Sequence, residues 1–416
     1  MALQKTDGRT ERQFSTDRKW RALLVIALAE LLAMSLWFSA TAAAPELAAA
    51  WNLTPAETAW LTVAVQLGFV AGALVSSVLT LSDVVQPRYL FAGSALVGAA
   101  ATAAIAGYVE SAAPAIALRF LTGVALAGVY PPGMKMIAGW FRSNRGFAIG
   151  VLVGALTVGS ALPHLLRGVG GVGRPRVVLY GAAALAVVGG LFALFVEEGP
   201  YQSPTAPFDP RAVGRLLGDR ATLLANGGYF GHMWELYAVW TWIPTYLFAS
   251  FAVRGDAVSS ELASVLAFGA IAIGGLGAML AGRLADRLGR TAVTSASMVV
   301  SGTACVLAGL LFGAPLPVVV PFVLAWGFAI VADSAQFSTC VTELAEPSYV
   351  GTALTLQTAI GFLLTTVSIR LIPVVAGVVG WRWAFASLAV GPALGTLAML
   401  RLRALPDARK LAGGRR

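Results

Sequence analysis

Runs of about 20 apolar residues, the length that carries a helix across a hydrocarbon core, follow one another along the whole chain. They fall at 21–44, 58–81, 89–109, 112–138, 147–166, 177–196, 221–251, 259–281, 291–313, 316–339, 352–375 and 383–402, which predicts twelve membrane-crossing helices. Short polar stretches separate the runs, and none is long enough for a separate soluble domain. The longest, "EEGPYQSPTAPFDPRAVGRLLGDR" at Glu197–Arg220, is rich in Pro and falls midway. It reads as a linker (197–220) between a six-helix half at 1–196 and a second at 221–416.

Composition agrees with the pattern. Apolar residues make up 58% and charged residues 12%, against roughly 25% charged in soluble domains, and the mean hydropathy is +0.78. An all-α integral membrane protein in a lipid bilayer is the expectation. Arg18, Lys19 and Arg21 precede the first run as in a secretory signal. That run is too long for one, carries Glu30, and is followed by eleven more, so it is expected to be retained.

Of the 29 Lys and Arg, Arg167, Arg174, Arg176, Arg254, Arg370 and Arg382 fall on one side of the predicted topology, and Arg119 lies inside a span. The rest fall on the other side, with the termini. The positive-inside bias therefore predicts a multi-pass protein of the cytoplasmic (inner) membrane with both termini cytoplasmic. The net charge of +9 is then a topology signal, and no nucleic-acid partner is expected. Cys305 and Cys340 lie in different spans, so no disulfide framework or metal spacing arises. The chain lacks a P-loop, an HExxH pair and a nucleophile elbow, so neither an enzyme nor a cofactor is expected.

The two halves resemble each other. At a shift of 205 positions Glu30 meets Glu235 and Trp37 meets Trp242; at 204, Gly123 and Ala125 meet Gly327 and Ala329; at 203, Asp83 meets Asp286. The order is the same in both halves, which describes a parallel repeat about an axis normal to the membrane.

"GRLADRLGR", Gly282–Arg290, resembles the G-x-x-x-D-R-x-G-R motif of the major facilitator superfamily, and "RFLTG", Arg119–Gly123, resembles that family's fourth-helix motif. The resemblance covers essentially the whole chain and implies the major facilitator fold of two six-helix halves. It also implies that the first, fourth, seventh and tenth helices line a central cavity. Within the loop motif Gly282 allows close helix approach, and Gly289 belongs to the same pattern. Asp286 sits where it can pair with Arg287 or Arg290, a latch for one state of an alternating-access cycle. The N-terminal copy, "LSDVVQPR", keeps Asp83 with Arg88 nearby but lacks the glycines.

Four charged residues lie well inside spans: Glu30, Arg119, Glu235 and Asp333. Each costs roughly 2.5–3.5 kcal/mol at a helix centre on insertion scales, so pairing or function is expected of them. All four fall on the helices that the resemblance assigns to the cavity. Glu30 opposite Arg119 is read as a proton-exchanging pair or a structural bridge. His232, one turn before Glu235, adds a group that titrates near neutral pH. Asp333 and Gln336, one turn apart, are placed to reach one ligand. Trp37, Tyr130, Trp234, Tyr237, Trp240 and Trp242 are candidates for an aromatic cavity wall. "VYPPGMK", Val129–Lys135, should break the fourth helix, because paired prolines remove backbone hydrogen bonds, and Gly146, Gly150 and Gly154 form a close-packing stripe in the fifth.

The functional expectation is a monomeric secondary transporter that takes a small-molecule substrate and protons. A Gly-Pro pair, usual in the fifth helix of the family's drug/proton antiporters, is absent from "GALTVGSALPH" (Gly154–His164). Overall the chain looks most like the permeases grouped with cyanate and nitrate carriers. The arginines that nitrate carriers use in their second and eighth helices are missing from the spans at 58–81 and 259–281. A proton-antiport exporter and a non-transporting membrane sensor are the alternative readings.

Overall fold

The structure, a computed structural model, describes residues 4–141, 145–201, 212–216, 218–254, 259–346 and 349–415. Every regular element among them is helical. Eleven helices are long and apolar enough to cross a membrane: α2 (Pro55–Val78), α3 (Pro87–Tyr108), α4 (Ala112–Trp140), α5 (Gly146–Gly171), α6 (Pro175–Leu194), α7 (Arg220–Val253), α8 (Ser260–Leu288), α9 (Arg290–Leu310), α10 (Leu316–Leu344), α11 (Val350–Val379) and α12 (Trp381–Ala404). Ahead of them, α1 (Gln4–Met34) continues beyond a turn as Ser39–Ala42 and Ala44–Trp51. Together they form the twelve-helix arrangement of two six-helix bundles. Part of the expected linker, at 202–211 and 217, lies outside the described residues; a short helix, Ala212–Leu216, precedes α7.

The first span is not the single helix expected over 21–44. Ser35 Oγ donates to Leu32 O (2.6 Å) and to Ala182 O of α6 (3.0 Å), and Ser39 Oγ donates to Leu36 O (2.9 Å). Hydroxyls that compete for backbone carbonyls bend helices, and the turn at 35–38 is the outcome. The fourth helix breaks where its prolines predict, between Leu126 and Tyr130. The tenth breaks at Asp333, between Ala332 and Ser334. By contrast, α7 runs unbroken over 34 residues, capped by Asp219 on Ala221 N–H at 3.2 Å.

Glycines set the packing within each half. A Cβ on Gly123 of α4 would stand 2.1 Å from Val65 O of α2, and one on Gly327 of α10 would stand 1.7 Å from Ala270 O of α8. Val65 and Ala270 are related by the same shift of 205 positions as Glu30 and Glu235, so the internal repeat is a repeat of contacts. Between halves, α5 lies along α8 and α2 along α11. The predicted stripe on α5 sits in this seam: Gly154 faces Gly275, and Gly150 faces Ala278.

Candidate functional site

A cavity of about 540 Å³ lies between the halves, walled by the turn after α1, by α2, α4, α5, α7, α8, α10 and α11, and by the start of α9. It reaches down to the end that carries Gly282, Asp286 and Arg290, here called the motif end. Its far end is closed by rings from both halves. Trp37 stacks near Tyr237 (5.7 Å between centroids) and Phe362 (5.5 Å), and Phe69 meets Phe362 at 4.7 Å. Behind them Phe38 meets Trp240 at 6.0 Å. Beyond the rings, a second hollow of about 250 Å³ is lined by Thr41, Thr62, His164, Arg167, Thr241 and Trp242 among others.

Of the residues expected at the site, Trp37, Tyr130, His232 and Gln336 line the cavity, as do Gly282, Asp286 and Arg290 of the motif. Tyr237 and Trp240 of the expected aromatic wall line it too, whereas other placements differ from expectation, each for a local reason. Trp242 faces the second hollow, because its indole N–H donates to Ile369 O of α11 at 2.8 Å. Trp234 lies against Gly391 of α12 rather than in the wall.

Arg119 is not paired with Glu30. Its guanidinium donates to Leu36 O (2.9 Å), Leu61 O (3.1 Å), Ser39 Oγ (3.1 Å) and Trp37 O. The break in α1 frees carbonyls at membrane depth, and Arg119 satisfies them from the neighbouring helix. Glu30, fully buried, leaves both carboxyl oxygens without a hydrogen-bond partner among the described residues. It fits beside Gly133, where a Cβ would come within 2.7 Å of its Oε2.

Glu235 and His232 share a helix but not a site. Glu235 is fully buried against α9, where Ser301 Oγ donates to Oε1 at 2.5 Å and Cys305 Sγ lies 3.4 Å from Oε2. His232 turns to the break in α10. Its Nδ1 stands 2.9 Å from Asp333 Oδ1, close but out of hydrogen-bond alignment. Its Nε2 is 2.9 Å from Ser334 Oγ. Asp333 therefore reaches the cavity through the imidazole, and Gln336, its expected partner, accepts from Arg290 at 2.9 Å instead.

The motif forms a cluster within one half. Arg290 grips Glu343 of α10 with two bonds of 2.6 and 2.8 Å, the planar fork that favours Arg for carboxylates, and contacts exposed Asp286 at 3.4 Å. Arg287 points outward. Gly289 joins α8 to α9 at φ +99°, a backbone state that glycine enters without a Cβ clash. The C-terminal segment closes over the cluster: Ala412 N–H donates to Glu343 Oε2 at 3.0 Å, and Arg415 donates to Asp286 O. In the N-terminal copy, Arg88 contacts Gln86 and Tyr89. The Asp83 side chain lies outside the described residues.

Four contributors had no sequence signal. Glu343 is 53 positions from Arg290. Phe69 and Phe362 carry no polar atom to mark them. Arg167, counted only as a loop cation, sits on a wide π turn (Arg167–Gly171) at the end opposite the motif. There it pairs with Glu46 at 2.9 Å and donates to Ser264 Oγ of α8 at 2.6 Å, tying the two halves together.

A profile of the Major Facilitator Superfamily matches residues 26–275 and again 225–416. The MFS-type transporter pytF of Aspergillus terreus is 31% identical over 185 residues, 42% of this chain and 58% of that one. The probable sulfoacetate transporter SauU of Cupriavidus necator is 25% identical over 230 residues, 50% of this chain and 51% of that one. The chain thus spans little more than half the length of these relatives. A crystal structure of the nucleoside transporter NupG shares the fold, with a TM-score of 0.70 at 16% identity over 92% of this chain and 99% of that one. Apolar helices, a cavity between two repeated bundles and the family match agree: the chain is a multi-pass membrane protein that belongs to the Major Facilitator Superfamily.

Proposed function

We propose that the protein moves a small organic solute across the cytoplasmic membrane by alternating access coupled to protons, with both termini and the motif end in the cytoplasm. The halves at 1–196 and 221–416 would rock about the cavity, joined by the linker at 197–220. The observation that carries this reading is the placing of His232. It is a titratable group on the wall of a cavity shared by both halves, and its partner Asp333 is the residue at which α10 breaks. Protonating such a pair changes the charge at a bend, and a bend is where a helix can swing. The ring closure and the Arg167–Glu46–Ser264 contacts favour reading this state as open toward the cytoplasm and shut on the other side. The relatives' names point to different cargo, an anion in one and a nucleoside in the other, so the cargo is argued from the cavity.

The test is flux into proteoliposomes for a panel of amines, carboxylates, nucleosides and sugars, with and without a pH gradient. Accumulation of at least one solute that follows the gradient is expected. Flux of none, with protein shown to be folded and inserted, rejects the reading and returns the sensor alternative. Reporter fusions at Arg416 and in the 51–55 loop should report opposite sides of the membrane.

A further inference from the structure

The lining has an unusual charge inventory. Among the described residues that line the cavity, Arg290 is the sole permanent cation, and it stands near the motif end, engaged by Glu343, Gln336 and Asp286. Arg119, the other cation at depth, spends its donors on backbone carbonyls and Ser39 and does not reach the cavity. The deep half therefore offers one carboxylate, Asp333, relayed by His232, together with the Ser334 hydroxyl and the faces of Trp37, Tyr237 and Phe362. An anion brought there would be desolvated with no fixed positive charge to receive it, which is costly. A cation would meet a carboxylate one ring away and aromatic faces, whose negative quadrupoles attract ammonium groups.

We propose that the cavity takes an organic monocation with an apolar, ring-sized body. This rests on the transport reading above and names its cargo class. The ammonium head donates to Ser334 Oγ, whose own proton is given to His232 Nε2 at 2.9 Å, with Asp333 supplying the countercharge through the imidazole. The body lies against the ring cluster. A volume of about 540 Å³ falls in the range of roughly 300–1,000 Å³ that holds drug-sized ligands.

The test is equilibrium binding to the purified full-length protein in nanodiscs at pH 7.5, read by intrinsic tryptophan fluorescence, for three probes of one shape: 3-phenylpropylamine, 3-phenylpropanol and 3-phenylpropionate. The amine should bind about tenfold tighter than the acid, with the alcohol between them. Asp333→Asn should erase the amine's advantage over the alcohol while keeping the alcohol's own affinity. Equal binding of amine and acid, tighter binding of the acid, or no saturable binding of the amine overturns the proposal. If Asp333→Asn does not fold, the ranking in the unaltered protein decides alone. No gradient enters the measurement, so amine preference without flux in proteoliposomes would reject transport and keep the cation site. Flux of carboxylates without amine preference would do the reverse.

Discussion

Asp333 Oδ1 and Ser334 Oγ stand on opposite sides of one imidazole, each 2.9 Å from a different ring nitrogen of His232. Two consecutive residues at a helix break thus hold both ends of a side chain on another helix. Any change in the charge of that ring is felt at the break itself.

The first prediction follows from this arrangement. For any solute whose accumulation in proteoliposomes rises with an imposed pH gradient, Asp333→Asn should abolish the gradient-dependent part and spare exchange at equal pH. His232→Gln should behave alike. Persistence of gradient-driven accumulation in these variants, and also in Glu30→Gln and Glu235→Gln, would reject proton coupling through the buried groups.

Arg119 and Glu30 should part company in stability. Arg119→Leu strands the Trp37 carbonyl at membrane depth and takes one donor from each of the Leu36 and Leu61 carbonyls, at a cost of about 1–3 kcal/mol for the group left unpaired. The melting temperature in detergent should fall by several degrees. Glu30→Gln removes no described hydrogen bond and should melt close to the unaltered protein. A fall as large as that of Arg119→Leu would mean that a Glu30–Arg119 bridge forms after all.

Arg167 ties the halves together at the end opposite the motif through Glu46 and Ser264. Removing contacts made in one state shifts the balance to the other by their differential energy, and 1–3 kcal/mol corresponds to about 5–150-fold. Thr245 lines the second hollow, and a Thr245→Cys reporter there should therefore react several-fold faster with an impermeant maleimide when Arg167→Gln is added. Cys305 and Cys340 are fully buried and should stay silent. An unchanged rate would show that Arg167 does not bear on closure.

Gly327→Ala should be among the costlier small changes, because its Cβ would overlap Ala270 O at 1.7 Å. Overpacking of this kind costs typically about 1–3 kcal/mol. Gly93→Ala, which meets nothing within 4 Å, is the control. Equal thermal stability of the two variants would argue that α8 and α10 are not packed as described.

Number and type of helices were legible in the chain, because hydropathy over 20 residues is a local property, and so was the break before Pro131 and Pro132. Which way each buried charge turns was not. Glu235 and His232 share a stripe by spacing, yet one pairs with α9 and the other with α10. That choice belongs to neighbours far away in sequence. Arg119 shows the same limit: two of its acceptors, the Leu36 and Trp37 carbonyls, are presented by the turn at 35–38, and no proline or glycine marks that turn. Asp333 was legible as an expensive charge but not as a helix break.

The seam between α5 and α8 has a mechanical meaning. Where Gly150 and Gly154 face Ala278 and Gly275, backbone lies on backbone and no long side chains mesh. Meshed surfaces move by discrete jumps, since every knob must leave its hole. A smooth track has no teeth to lift, so α5 and α8 can roll or slide by fractions of a turn without re-sorting rotamers. The seam acts as a plain bearing: the side-chain contacts that hold α5 to α8 sit at its ends, in the clasp of Arg167 on Ser264 and in the guanidinium of Arg283 over the Phe147 ring at 4.5 Å.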